Sequence, residues 1–255
     1  MSRRRTIVLA LLAVGAIAAL VWAAARIGGL SEDTQATNPV IRWEYLFVRE
    51  RTAEELWERT RQHLELTVVP VVLGTVLSAG LASLVLRFRW LQAPVLTVAG
   101  FLYTIPSLAL FGILVTYTSN WTAAVAALTS YTLLIITRNI VAGIEGVPVA
   151  VLDAADGIGM SPRQRRLRVE LPLALPVILT GIRVATVTTV GLVGISAVIQ
   201  LGGLAYYIFD GFRREFTTLI VLGSSLSILL AVALDLLLRG LERLATPWAR
   251  RGAMA

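Results

Sequence analysis

Asp153–Pro172 reads DAADGIGMSPRQRRLRVELP. Four arginines, three acids and two prolines stand together in a chain that is otherwise mostly apolar. On either side lie apolar blocks at roughly 121–143 and 173–199, each long enough to cross a bilayer. A short charged connector between two such blocks defines an all-α integral membrane protein. The chain is 56% hydrophobic and 15% charged over 255 residues, against about 45–50% and about 25% for an ordinary soluble domain.

Outward from this loop, four more spans are expected, at roughly 6–26, 64–86, 93–118 and 217–238, making about six in all. The first follows Ser2-Arg3-Arg4-Arg5. Its basic start, apolar core and Ala23-Ala24-Ala25 also fit a cleaved signal sequence, but a run of about 20 apolar residues favours a retained anchor. The division expected is an anchor over 1–27, an external amphipathic segment over 28–62, a transmembrane domain over 63–248 and a tail over 249–255. In the external segment, Thr52-Ala53-Glu54-Glu55 fits a capping box. Ala53, Leu56, Trp57, Thr60 and Leu64 follow at helical spacing, as for a short surface helix leading into the second span. His63 is expected to cap or pack at that boundary.

All 23 basic residues are arginine, and they concentrate in the connectors. Alternating spans with the N-terminus inside put Arg87, Arg89, Arg163, Arg165, Arg166, Arg168, Arg239 and Arg243 on the inner side, where positive charge accumulates. Both termini and the loop 145–172 are then cytoplasmic. The +7 net charge thus serves topology rather than nucleic-acid binding. No cysteine is present, which excludes disulfides and thiolate metal sites. A lone histidine excludes a multi-histidine centre, and no phosphate-binding glycine loop followed by Lys-Ser or Lys-Thr occurs. Nothing points to catalysis or to a cofactor bound by this chain.

Polar residues inside spans are the candidates for function, since a charge in the bilayer costs at least about 2.5–3.5 kcal/mol. Arg138 and Asp235 fall near the same ends of their spans and are expected to pair or to snorkel. Arg183 lies deeper. Thr186, Thr189, Ser196 and Gln200 share an arc beside it at 100° per residue, either lining a wet pathway or joining helices. Pro106 should break the third span. Tyr103 and Tyr131 are aromatics suited to stacking on a cation. In the loop, a helix is expected over 153–160, with Asp153 in its first turn after Pro148. Ala154 and Ala155 would allow close approach to a partner, and Gly159 would end the helix at positive φ. Leu171-Pro172 sets the entry to the fifth span.

The loop also resembles the coupling motif of ABC importer permeases, which runs Glu-Ala-Ala, three residues, Gly, nine residues, Ile-x-Leu-Pro. Here the same spacing reads Asp153-Ala154-Ala155, Gly159, Val169-Glu170-Leu171-Pro172, with Asp for Glu and Val for Ile. HLELTVVPVVLGTVLS, YTIPSLALFGIL, TRNIVAGI, IGMSPRQRRLRVELPLALPVILTGIR and ALDLLLRGLERLATP are similar to the osmoprotectant branch, the glycine betaine/carnitine/choline permeases, over about residues 63–248. Departures are Ile136-Thr137 before Arg138-Asn139, a glycine run shortened to Gly202-Gly203, and the added first span with residues 28–62. The resemblance implies a five-helix permease core with a cytoplasmic coupling helix, in a bacterial or archaeal plasma membrane. It implies two copies of an ATP-binding subunit carrying ATP and Mg, docked at Asp153, Ala154, Ala155, Gly159, Leu171 and Pro172. It further implies a second permease, identical or a sister, and an external substrate-binding protein. A permease for another small amine or amino-acid derivative is the alternative. A self-contained carrier or channel would require several acids at mid-membrane, and only Asp235 comes near.

Overall fold

A computed structural model of the protein describes residues 52–248. The expected anchor, residues 28–51 of the external segment and the tail 249–255 lie outside the described residues. Among the described residues all regular structure is helical. Four helices are long and apolar enough to cross a membrane, and one bent pair makes a possible fifth span.

Helix α1, Thr52–Arg87, is continuous over 36 residues. The surface helix and the second span are therefore one element, a difference from the sequence reading. No glycine or proline separates the charged first turns from Leu64 onward, so nothing ends the helix there. Its hydroxyls turn back onto their own helix: Thr67 donates to the His63 carbonyl at 2.8 Å and Thr75 to that of Val71 at 2.7 Å. This satisfies polar groups where water is scarce.

The third span breaks where proline demands it. Helices α2, Gln92–Thr104, and α3, Ser107–Val115, diverge by 89°. Ile105 and Pro106 between them are extended, with ψ of 128° and 125°. The Tyr131 hydroxyl donates to the freed Ile105 carbonyl at 2.7 Å, and the Tyr103 ring meets the Tyr131 ring edge-on with centroids 6.1 Å apart. These two tyrosines serve the break. Tyr131→Phe is expected to lower stability by about 1 kcal/mol, the net worth of one such bond, with near-wild-type assembly. Denaturant unfolding in mixed micelles measures it.

Helix α4, Asn120–Glu145, is the central post. Ser119 caps it by accepting from the Thr122 amide. Ala123, Ala124 and Ala127 are buried with Leu66, Phe111 and Val193 in the main apolar cluster. Small side chains let the helices close on one another. At Gly74 of α1 a Cβ would stand 1.8 Å from Thr132 Oγ1, and at Gly181 2.4 Å from Asn139 Cβ. The remaining elements are α5, Val149–Gly157, α6, Pro162–Arg165, a π turn over Arg166–Glu170, and α7, Leu171–Val193. Helix α7 tightens into a 3-10 turn over Gly194–Ile199. A second 3-10 turn, Gly203–Ala205, leads into α8, Tyr206–Arg213, and α9, Thr217–Ala245, follows.

His63 joins three of these elements. It is fully buried; its Nδ1 accepts from the Leu204 amide at 3.2 Å and its Nε2 lies 3.1 Å from the Val190 carbonyl. The ring therefore carries its hydrogen on Nε2. The boundary at which it was expected to cap or pack is absent, because α1 runs straight through it; His63 instead caps the distant turn at Gly203.

Candidate functional site

Two features stand out, at one end of the bundle and along one flank. The first is the loop Asp153–Pro172. Its helix, α5, starts at Val149 after Pro148 and ends at Gly157, earlier than the expected 153–160. Asp153 is thus the fifth helical residue and not in the first turn, and the dipole argument made for it does not apply. Gly159 has φ +79°, the left-handed turn expected of it. Ala154 is exposed, as expected of a docking residue, but Ala155 is buried within the protomer. Ala155 packs this fold and is not open to a partner. The exposed face carries Asp153, Ala154 and Ile158, the last 74% exposed.

Arg165 ties this helix to the membrane span. It donates to Asp156 Oδ2 at 2.5 Å and to Glu170 Oε1 at 2.9 Å. Arg166 stands further off, 3.8 Å from Glu170 Oε2. Ser161 and Gln164 form a reciprocal capping box that starts α6, so Arg165 is held on a fixed turn. Glu170 ends the π turn directly before Leu171 and Pro172 enter α7. A continuous ion-paired chain therefore runs from the exposed helix to the base of a span. Sequence reasoning gave these arginines only a topological role. The capping pattern Ser161-Pro162-Arg163-Gln164 was the signal that fixes where Arg165 points.

The second feature is the flank between α7 and α9. Arg183 donates to Asp235 Oδ1 through Nη2 at 2.7 Å and Nε at 3.1 Å, and to Glu242 Oε2 at 2.9 Å. Arg239 donates to Asp235 Oδ2 at 2.9 Å. Of the two expectations for Arg138 and Asp235, pairing is corrected: Arg138 is exposed on α4, and Asp235 faces α7. The spacing of Asp235, Arg239 and Glu242, four and then three residues apart, puts all three on one stripe of α9. That periodicity was legible.

Arg183 and Asp235 line an open crevice of about 430 Å³ with Thr180, Thr188, Val184 and Val232 among its walls. Of the residues proposed for a path, Arg183 lines it; Thr186, Thr189 and Ser196 do not. Those three are buried, and their hydroxyls donate to the carbonyls of Ile182, Ala185 and Val193. This geometry is that of helix packing. The arc also breaks at Gly194, where α7 becomes 3-10 and the 100° step no longer holds. Gln200 sits at φ 65°, exposed, closing that turn. Val190 stands one turn beyond Thr186 on the same side of the helix and is as buried as Thr189, so bulk there is no more tolerable than at Thr189. Tyr103 and Tyr131 belong to the bend at Pro106 and do not line the crevice.

Residues 72–251 match the family described as binding-protein-dependent transport system inner membrane component. The osmoprotectant import permease protein OsmW of Salmonella typhimurium is 39% identical over 194 residues, covering 74% of this chain and 90% of that protein. The choline transport system permease protein OpuBB of Bacillus subtilis is 33% identical over 194 residues, 76% of this chain and 89% of that one. The inward-facing MetNI methionine ABC transporter shares the fold with a TM-score of 0.69 at 20% identity, over 78% of this chain and 99% of the other. With its helical bundle, its bent third span and its loop Asp153–Pro172, the chain belongs to the family of binding-protein-dependent transport system inner membrane components.

Proposed function

We propose that this chain is the permease subunit of an ATP-driven importer for a quaternary ammonium osmoprotectant of the glycine betaine, choline or carnitine kind. The observation that carries this is its 39% identity to an osmoprotectant import permease over 74% of the chain. Two ATP-binding subunits, which hold ATP and Mg, dock on the exposed face of α5, and an external binding protein delivers the solute to the other side. A second permease, a copy or a sister, completes the pathway. The arginine bias supports placing α5 and both termini in the cytoplasm. The chain itself hydrolyses nothing.

A carrier driven by protons or sodium needs a free carboxylate within the membrane. Asp235 and Glu242 are instead held by Arg183 and Arg239. The experiment is uptake of labelled glycine betaine, choline and carnitine into vesicles containing the permease, its ATP-binding subunit and its binding protein. Uptake is expected only with ATP inside the compartment facing α5. Uptake driven by an ion gradient alone, or no uptake of any of the three, overturns the proposal.

A second test concerns docking. Ile158→Glu and Ala154→Trp alter only the exposed face of α5, so the protomer is expected to insert and fold while the ATP-binding subunit is lost on co-purification. Wild-type stoichiometry in both variants would remove α5 from the interface. Ala155→Trp does not serve here, because it overpacks the protomer itself.

A further inference from the structure

The crevice between α7 and α9 combines three properties. It lies within the membrane-spanning part: Arg183 is twelve residues beyond Leu171, about 18 Å along α7. It is open, yet Arg183 and Asp235 keep their side chains only 18% and 25% exposed. Charged groups on an open face cannot stand against hydrocarbon without a cost of several kcal/mol, so this face belongs to a wet passage or to the seam with a second permease. Finally, its charges cancel: Arg183 and Arg239 against Asp235 and Glu242.

We propose that the crevice is a transit site for zwitterionic quaternary ammonium compounds, with the substrate carboxylate on Arg183 and its trimethylammonium group beside Asp235. This rests on the function proposed above and narrows it. A zwitterion can enter an ion pair by exchange. Its carboxylate takes the guanidinium, its cation takes the displaced Asp235, and no charge is left alone. A simple cation such as choline adds one uncompensated charge to a partly buried cluster whose charges already cancel, which is costly. Arg183 has hydrogens to spare: three of its five N–H bonds point to Asp235 and Glu242, leaving two for an arriving carboxylate. Arg239 Nε is buried with no hydrogen-bond partner, so the cluster holds a further unused donor. The trimethylammonium group has no N–H and requires no acceptor aimed at it. Apolar walls beside a carboxylate suffice, and Val184 and Val232 supply them. The volume of about 430 Å³ is of small-ligand size.

The test uses the absence of cysteine. Val184→Cys places a single thiol on the wall of the crevice, at a residue 49% exposed. The permease with its ATP-binding subunit is reconstituted without the binding protein and treated with a small neutral alkylating reagent. With glycine betaine at about ten times its dissociation constant, alkylation is expected to slow about tenfold, and choline at the same concentration is expected to leave it unchanged. Adding Arg183→Gln should abolish the protection, and Arg183→Lys should retain part of it. Should Arg183→Gln fail to assemble, Val184→Cys in the otherwise native chain decides alone. Equal protection by choline, or none by glycine betaine, overturns the inference. Vesicles that take up glycine betaine with ATP while the thiol stays unprotected sink the transit site only. Vesicles that take up no quaternary ammonium compound sink the proposed function.

Discussion

Arg165→Leu is expected to leave the permease in the membrane while cutting uptake per ATP hydrolysed by more than about tenfold, a change that 1.4 kcal/mol of lost coupling already produces. The size follows from what the arginine holds. Glu170 is 8% exposed at its side chain, and Arg165 is its near partner at 2.9 Å, with Arg166 at 3.8 Å. Removing one member of a buried pair strands the other, at about 3–5 kcal/mol. Asp156 is half exposed, and its loss adds little. The same substitution cuts the tie between α5 and the base of α7, so with an ATP-binding subunit docked as proposed above, its motion no longer reaches the span. Arg165→Lys restores one charge contact but not the fork that spans both acids, and intermediate coupling is expected. ATPase activity with and without substrate, read beside uptake, measures it. Normal coupling in Arg165→Leu would mean that the drive reaches the spans by another route.

The other large effect is structural. His63→Leu removes a ring that accepts from the Leu204 amide and donates to the Val190 carbonyl, leaving two buried groups without partners. At about 1–3 kcal/mol for each, the loss is about 2–6 kcal/mol, comparable with the stability of many proteins. Gly203 is bound to the same point. Its φ is +52°, and a Cβ there would lie 2.5 Å from His63 Cβ and 2.7 Å from His63 Cα. The obstruction includes backbone, so no rotamer relieves it, and Gly203→Val is expected to prevent the turn from closing on α1. Monodispersity after heating, followed by size exclusion, reports both variants. Wild-type heat resistance in either would show that the junction of α1, α7 and the Gly203 turn is dispensable.

Much of this was written in the sequence because membranes impose simple rules. Blocks of apolar residues located the described spans, except that nothing in residues 52–63 ends the first of them and the last runs past its expected end at about 238, to Ala245. Pro106 foretold the break. The spacing from Asp153 to Pro172 foretold the family. What escaped was direction between helices. A periodicity places Asp235 on a face of α9, but it does not say whether α4 or α7 stands opposite, and so pairing with Arg138 stood beside snorkelling as an expectation, although Arg183 holds the acid. Ala155 was read as a contact because alanine is small, a property equally useful for packing against its own chain. The arc from Thr186 to Gln200 assumed an unbroken α-helix, and the tightening at Gly194 ended that assumption.

Helix α1 also sets a clearance. Its 36 residues run about 54 Å, against a hydrocarbon layer of about 30 Å. Arg59 and Gln62 already touch Tyr206 and Gly203, so only Thr52–Glu58 rises beyond them, as a charged stalk about 10 Å tall. The Arg61–Glu65 pair at 2.7 Å stiffens its base, and Arg59 lies on the Tyr206 ring at 3.7 Å, bracing the stalk against the floor. A protein landing on that surface meets the stalk before the floor. Among the described residues the stalk rises about two helical turns above that floor, so a body notched to receive it fits this surface better than a flat one.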